Sequence, residues 1–147
     1  MGFDMTGMMD IVVVDGDDAG ELAAALDAIL DRSAEEVGRP FAGERLHLKV
    51  TDGDGSLLGG LVAERLQGWL YVKGLAVDVK VRNSGIGERL LARAEASARD
   101  EQLAGVYLDT FEFQAPRFYQ QHGYREIGRL PAAGNAPQRI WFAKTFE

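Results

Sequence analysis

The sequence predicts an α/β fold in which a mixed, mainly antiparallel sheet of about six or seven strands carries flanking helices. Three observations predict it. Between residues 45 and 77, three apolar-rich runs are separated only by tight-turn residues, so consecutive strands should be antiparallel. From Trp69 to Asp109, a strand, a helix-patterned run and another strand follow in that order, which implies a right-handed parallel crossover. Two runs, one near the N-terminus and one after Gly85, repeat apolar residues at the spacing of amphipathic helices.

The elements follow in order. Residues 1–9, with Met5, Met8 and Met9, read as a disordered leader, and residues 10–147 as a single domain. Ile11 to Val14 reads as a buried strand. Asp18, with Glu21 three residues on, resembles a helix cap, and Leu22, Leu26, Ile29, Leu30 and Val37 then keep helical spacing. Arg39 to Gly43 is a loop. Leu46, Leu48 and Val50 alternate with Arg45, His47 and Lys49 in a half-buried strand. Asp52 to Gly55 is a hairpin turn, Leu57 to Leu66 the return strand, Gln67-Gly68 a second turn, and Trp69 to Val77 a third strand. Gly74 interrupts that strand, as a packing glycine or as a bulge that frees backbone groups near Leu75, Ala76 and Val77.

A helix is expected from Ile86 to Leu103. Ile86, Leu90, Ala94 and Ala98 form its apolar stripe, flanked by Leu91, while Glu88, Arg89, Arg93, Glu95 and Arg99 face outward and Gly105 ends it. Val106 to Asp109 begins the crossover strand. Residues 115–122 are a short helix closed by Gly123, residues 124–130 a strand, and Ile140 to Phe142 the final strand. The exposed edges of an open sheet, that last strand in particular, make a homodimer an option.

Composition narrows the function. The chain has 147 residues and a net charge of −7, with 23 acidic against 16 basic residues, which argues against a nucleic-acid partner. No apolar run is long enough to span a membrane, and the N-terminus lacks a signal-peptide pattern. There is no cysteine, and His47 and His122 stand alone, so no metal site is expected. A cytoplasmic enzyme or binding protein is the natural class.

Against this acidic background, Lys80, Arg82, Arg89 and Arg93 form a basic island around Arg82-Asn83-Ser84-Gly85-Ile86-Gly87. A glycine-containing turn that opens a helix presents unpaired N–H groups and the positive end of the helix dipole to a phosphate. The chain contains no Walker string. Gly85-Ile86-Gly87, with Asp109 about twenty residues on, begins a dinucleotide fingerprint, but its third small position is Leu90 and the turn lies several residues beyond the strand.

The same residues resemble the acetyl-CoA signature of the GNAT acetyltransferase superfamily, Gln/Arg-x-x-Gly-x-Gly/Ala. Leu75-Ala76-Val77-Asp78 is similar to the family's Leu-x-Val-Asp strand end, and Phe118-Tyr119-Gln120-Gln121-His122-Gly123-Tyr124 to its Phe/Leu-Tyr-x-x-x-Gly-Phe/Tyr. The resemblance implies a splayed central strand pair and N-acetyl transfer from acetyl-CoA, as co-substrate, to the amine of a small molecule or peptide. It implies that Arg82, Asn83, Ser84, Gly85, Ile86, Gly87 and Glu88 cradle the pyrophosphate, and that Leu75, Ala76 and Val77 meet the pantetheine arm. Val77 N–H would face the thioester oxygen, and Tyr119 would protonate the leaving thiolate. Asp109 is the catalytic candidate as base, with substrate anchor and structural residue as its other readings. Glu112 stands where many members carry asparagine, which leaves Gln114 as a weak substitute. A non-catalytic acyl-CoA-binding module on the same fold is the alternative class.

Overall fold

The computed structural model describes residues 9–41 and 43–147, in two units that divide after Phe41. The leader expected over residues 1–9 lies outside the described residues except for Met9.

In the first unit, helix α1 spans Asp17–Glu36. Gly16, at φ 64°, is its N-cap, and no side chain caps it. Asp17 and Asp18 instead sit inside the first turn, where the helix dipole favours acids. The cap expected at Asp18 is therefore corrected to Gly16, two residues earlier. Ile11 to Val14 is also corrected: the segment forms no strand, and Ile11, Val12 and Val13 are exposed. Its β-branched residues favour extended backbone, but a strand needs a hydrogen-bonded neighbour, and none of the described strands pairs with it.

The second unit is a six-stranded sheet in the order β1-β2-β3-β4-β6-β5. Strands β1 (Arg45–Thr51), β2 (Leu57–Leu66) and β3 (Trp69–Val77) run antiparallel through two tight turns. In the first, Asp52 Oδ1 accepts from the Asp54 and Ser56 amides, each at 2.9 Å. In the second, Gln67 and Gly68 are both at positive φ, as a two-residue hairpin turn requires. Helix α2 (Ile86–Asp100) then crosses to β4 (Gly105–Phe111), which lies parallel to β3. A six-residue helix α3 (Pro116–Gln121) precedes β5 (Arg125–Leu130) and β6 (Arg139–Thr145).

Strand β6 inserts between β4 and β5, antiparallel to both. The last strand is therefore interior, and the edges of this sheet are β1 and β5. This corrects the placement of the last strand at an exposed edge; β1 and β5 are the open edges instead.

Helix α2 covers one face of the sheet and packs on β1 to β4. Ile86, Leu90, Leu91, Ala94 and Ala98 meet Leu61, Ala63, Leu70, Val72, Val106, Leu108 and Phe142 in one buried cluster. Glu95 belongs to this buried face, contrary to the outward placement read from the sequence. Its carboxylate accepts from Lys144 Nζ at 2.7 Å and Tyr124 Oη at 3.1 Å, so the buried charge is paired.

The end of α2 is also corrected. The helix stops at Asp100, Gln102 takes the left-handed conformation at φ 59°, and the Leu103 amide returns to the Ala98 carbonyl at 3.0 Å. That is a Schellman-type closure. Gly105 instead opens β4. An added Cβ there would overlap the Lys144 carbonyl and lie 2.9 Å from both the Trp69 ring and Thr145 Cα. Gly105→Ala is expected to destabilise the protein by about 1–3 kcal/mol through overpacking, read as a lower urea midpoint with an unchanged m-value.

Candidate active site

The site grows from the end of β3. Val72 pairs with Ala63 of β2, whereas Gly74 pairs with Val62, so Lys73 is the extra residue of a bulge. The bulge expected at Gly74 is present one residue earlier. Strands β3 and β4 are paired only from Leu70–Val106 to Val72–Leu108. Beyond that point β3 stays with β2 and β4 stays with β6, so the two central strands part. Leu75, Ala76 and Val77 pair with Leu61, Gly60 and Gly59 on one side. Their backbone groups on the β4 side have no strand partner, which is where an extended arm can add as a strand.

A single 3₁₀ turn, Val79–Val81, capped by Asp78 accepting from the Lys80 amide at 2.9 Å, leads to the glycine turn. Asn83 at φ 63° and Gly85 at φ 84° are both left-handed. The Ser84 hydroxyl donates back to the Val81 carbonyl and tightens the loop. Gly85 is the N-cap of α2, and no side chain caps that end. The first intrahelical bond is donated by Arg89 to the Gly85 carbonyl at 3.0 Å, so the N–H groups of Ile86, Gly87 and Glu88 stand before it, directed outward. A Cβ at Gly85 would meet nothing within 4 Å. The cradle is thus open and lined by donors, which fits a diphosphate. Lys80, Arg82, Arg89 and Arg93 are exposed around it.

Tyr119 arrives from α3. Pro116 starts this helix, and Gly123 at φ 88° ends it. The Tyr119 carbonyl accepts from the His122 and Tyr124 amides at 3.1 and 3.0 Å. Its ring is buried, edge-on to Phe118 and Tyr124 and beside Phe142. Among the described residues no hydrogen bond holds its hydroxyl. Burial, and then the charge of Asp109, push the phenol above its ordinary value, so it stays protonated and able to donate.

Gly87 joins these parts. A Cβ there would lie 3.5 Å from the Phe118 ring and 3.6 Å from the Val77 side chain. The helix start, the end of the parted strand and the segment carrying Tyr119 therefore converge on one point.

Asp109 is the first β4 residue beyond the last β3 pair. Its Oδ1 accepts from Tyr71 Oη at 2.8 Å, and its Oδ2 from Arg139 Nε at 2.7 Å. Arg139 and Tyr71 are residues that sequence reasoning missed. Gln114 turns its Oε1 to the Phe111 amide and the Thr110 hydroxyl, at 3.0 and 3.2 Å, so its oxygen serves the end of β4.

Residues 44–126 match the family model of the acetyltransferase (GNAT) domain, more than half of the chain. Acetyltransferase Atu2258 of Agrobacterium fabrum is 33% identical over 138 residues, 94% of this chain and 100% of that protein. The chain belongs to the GNAT acetyltransferase family. Blasticidin-S acetyltransferase of Streptomyces morookaense is 49% identical over 78 residues, 52% of this chain and 57% of that protein. The crystal structure of an acetyltransferase from Bacillus cereus superposes with a TM-score of 0.77 at 29% identity, covering 95% of this chain and 99% of that one. The matched segment takes in the bulged strand, the glycine turn and Tyr119 together. This GNAT acetyltransferase contains, among its described residues, no helix long and apolar enough to cross a membrane.

Proposed function

We propose that this protein transfers the acetyl group of acetyl-CoA to a primary amine of a small molecule or peptide, by direct attack within a ternary complex. The convergence at Gly87 carries the reading. There the start of α2 with its donor-lined phosphate cradle, the end of the strand with free backbone groups and Phe118, the chain neighbour of the unengaged Tyr119, come together, which supports a cleft shared by all three. A relative named for blasticidin S supports a small-molecule acceptor.

The cradle from Arg82 to Glu88 binds the diphosphate, and Leu75 to Val77 hold the extended arm. The amine nitrogen attacks the thioester carbonyl, and the Val77 N–H steadies the oxyanion that develops. The C–S bond breaks, Tyr119 gives its proton to the leaving thiolate, and the proton lost by the nitrogen returns to Tyr119 through solvent. Asp109 anchors the incoming ammonium, its carboxylate held in place by Tyr71 and Arg139 with lone pairs to spare, and the ammonium gives one proton to solvent to become the attacking amine.

The test is thiol release from acetyl-CoA across a panel of primary amines. Release with at least one amine is expected, together with thermal protection by acetyl-CoA. The Gly85→Val variant should lose that protection, because a branched side chain is strained at φ 84° and distorts the turn that forms the cradle. Protection without release from any amine would instead favour a non-catalytic acyl-CoA-binding module.

A further inference from the structure

Resting on the acetyl-transfer reading, we propose that Arg139 selects the acceptor, and that the acceptor is an aromatic amine bearing a carboxylate beside its amino group, as an aromatic α-amino acid does. A site built for a plain ammonium ion would present an unopposed carboxylate. This one does not. Arg139 lies against Asp109 through both Nε and Nη2, each 2.7 Å from Oδ2. The two charges stand side by side at the residue where β3 and β4 part, next to the cleft in which the thioester carbonyl is attacked.

Such a pair offers a plain cation little. Its attraction to Asp109 is offset by the guanidinium in contact with that carboxylate. A zwitterion fits both charges at once. A carboxylate has about four lone-pair directions and a guanidinium five N–H donors, so each partner keeps capacity after meeting the other. The cation is the more accessible member, with 34% of its side chain exposed against 13% for Asp109. Arg139 is therefore placed to take an incoming carboxylate in the fork geometry that arginine favours.

The surroundings specify the rest of the molecule. The Arg139 guanidinium lies over the Trp141 ring, 4.7 Å from its centre, a cation–π contact that steadies it. Register puts Asp109 opposite Trp141 in the β4–β6 ladder. On the same face, Tyr71 stacks on Tyr107 at 4.9 Å and on Trp141 at 6.5 Å. These half-buried rings form an aromatic wall beside the charge pair, against which a flat apolar side chain can pack. Tyr71 is pushed up to about 12, by burial first and then by its bond to Asp109, and so remains a donor there.

The experiment compares matched acceptors that differ only in the carboxylate: tryptophan against tryptamine, tyrosine against tyramine, phenylalanine against phenethylamine. With acetyl-CoA saturating, the wild type is expected to favour the amino acid by at least about tenfold in kcat/KM. Arg139→Met should erase that preference through a higher KM for the amino acid, with the KM for acetyl-CoA unchanged, and Arg139→Lys should restore part of it. A wild type that acetylates the amines as well as the amino acids overturns the proposal, even if no variant folds. So does Arg139→Met lowering both members of each pair equally, the mark of a purely structural tie between β4 and β6. Equal use of alanine and tryptophan overturns its aromatic half. Acetylation of none of these, with acetyl-CoA still giving thermal protection, overturns this inference and leaves the broader amine reading standing; loss of that protection overturns both.

Discussion

Tyr119→Phe is expected to lower kcat by about a hundredfold to ten-thousandfold, the range a positioned general acid contributes. The substitution is clean. The ring, with its contacts to Phe118, Tyr124 and Phe142, is kept, and the hydroxyl it removes makes no hydrogen bond to another described residue. The unfolding free energy should therefore change by no more than surface substitutions change it, roughly 0.5 kcal/mol. Binding of acetyl-CoA, measured calorimetrically, should also be unchanged, because the cradle lies on α2. The sign of the pH dependence follows from the shift. A general acid works in its protonated form, which prevails below its pKa. Burial and the Asp109 charge raise that value above the ordinary phenol range, so this group imposes no loss of rate between pH 7 and about 9.5. A kcat unchanged in Tyr119→Phe would remove the tyrosine from the proton path.

The elements that sequence reading located best are those decided by neighbours in the chain. The bounds of β2 and β3 follow from the turn residues beside them, Asp52 to Gly55 and Gln67-Gly68, and both signals are local. The glycine turn and Tyr119 stand out because each lies in a short string that resembles a family motif, and the bulge near Gly74 is one of two readings of that glycine. The errors share the opposite property. Gly105 looks like a helix stop, yet it is required by the Lys144 carbonyl and the Trp69 ring, both distant in sequence. Glu95 looks solvent-facing until Lys144, 49 residues on, and Tyr124, 29 residues on, supply its partners. Arg139 meets Asp109 only because β6 inserts beside β4, a strand order that periodicity does not encode. Ile11 to Val14 is the converse, a local β preference with no described strand beside it. Local pattern names the parts, and long-range pairing decides which charges are buried and which carboxylate is held.

Lys144→Met carries the largest expected stability effect. It removes the ammonium that lies 2.7 Å from Glu95 and leaves that carboxylate, with 8% of its side chain exposed, in the core beneath α2. Tyr124 still donates at 3.1 Å, but Arg99 is 3.8 Å away and half exposed, so the charge loses its main partner. Breaking one side of a buried pair costs about 3–5 kcal/mol, which for a domain of this size lowers the melting temperature by roughly 10 °C or more. The combination Glu95→Leu, Tyr124→Phe and Lys144→Met should recover most of the loss, since a buried ionic group replaced whole by apolar side chains is often neutral. The recovered protein is informative beyond stability. Lys144 Nζ also donates to the His122 carbonyl at 3.0 Å, just where α3 ends after Tyr119. In the triple variant that tether is gone while the core is intact. Its kcat should then fall below wild type by several-fold with the KM for acetyl-CoA held, because the tyrosine is less firmly placed against the leaving thiolate. A triple variant with wild-type stability and wild-type kcat would show that the Glu95–Lys144 pair serves the fold alone.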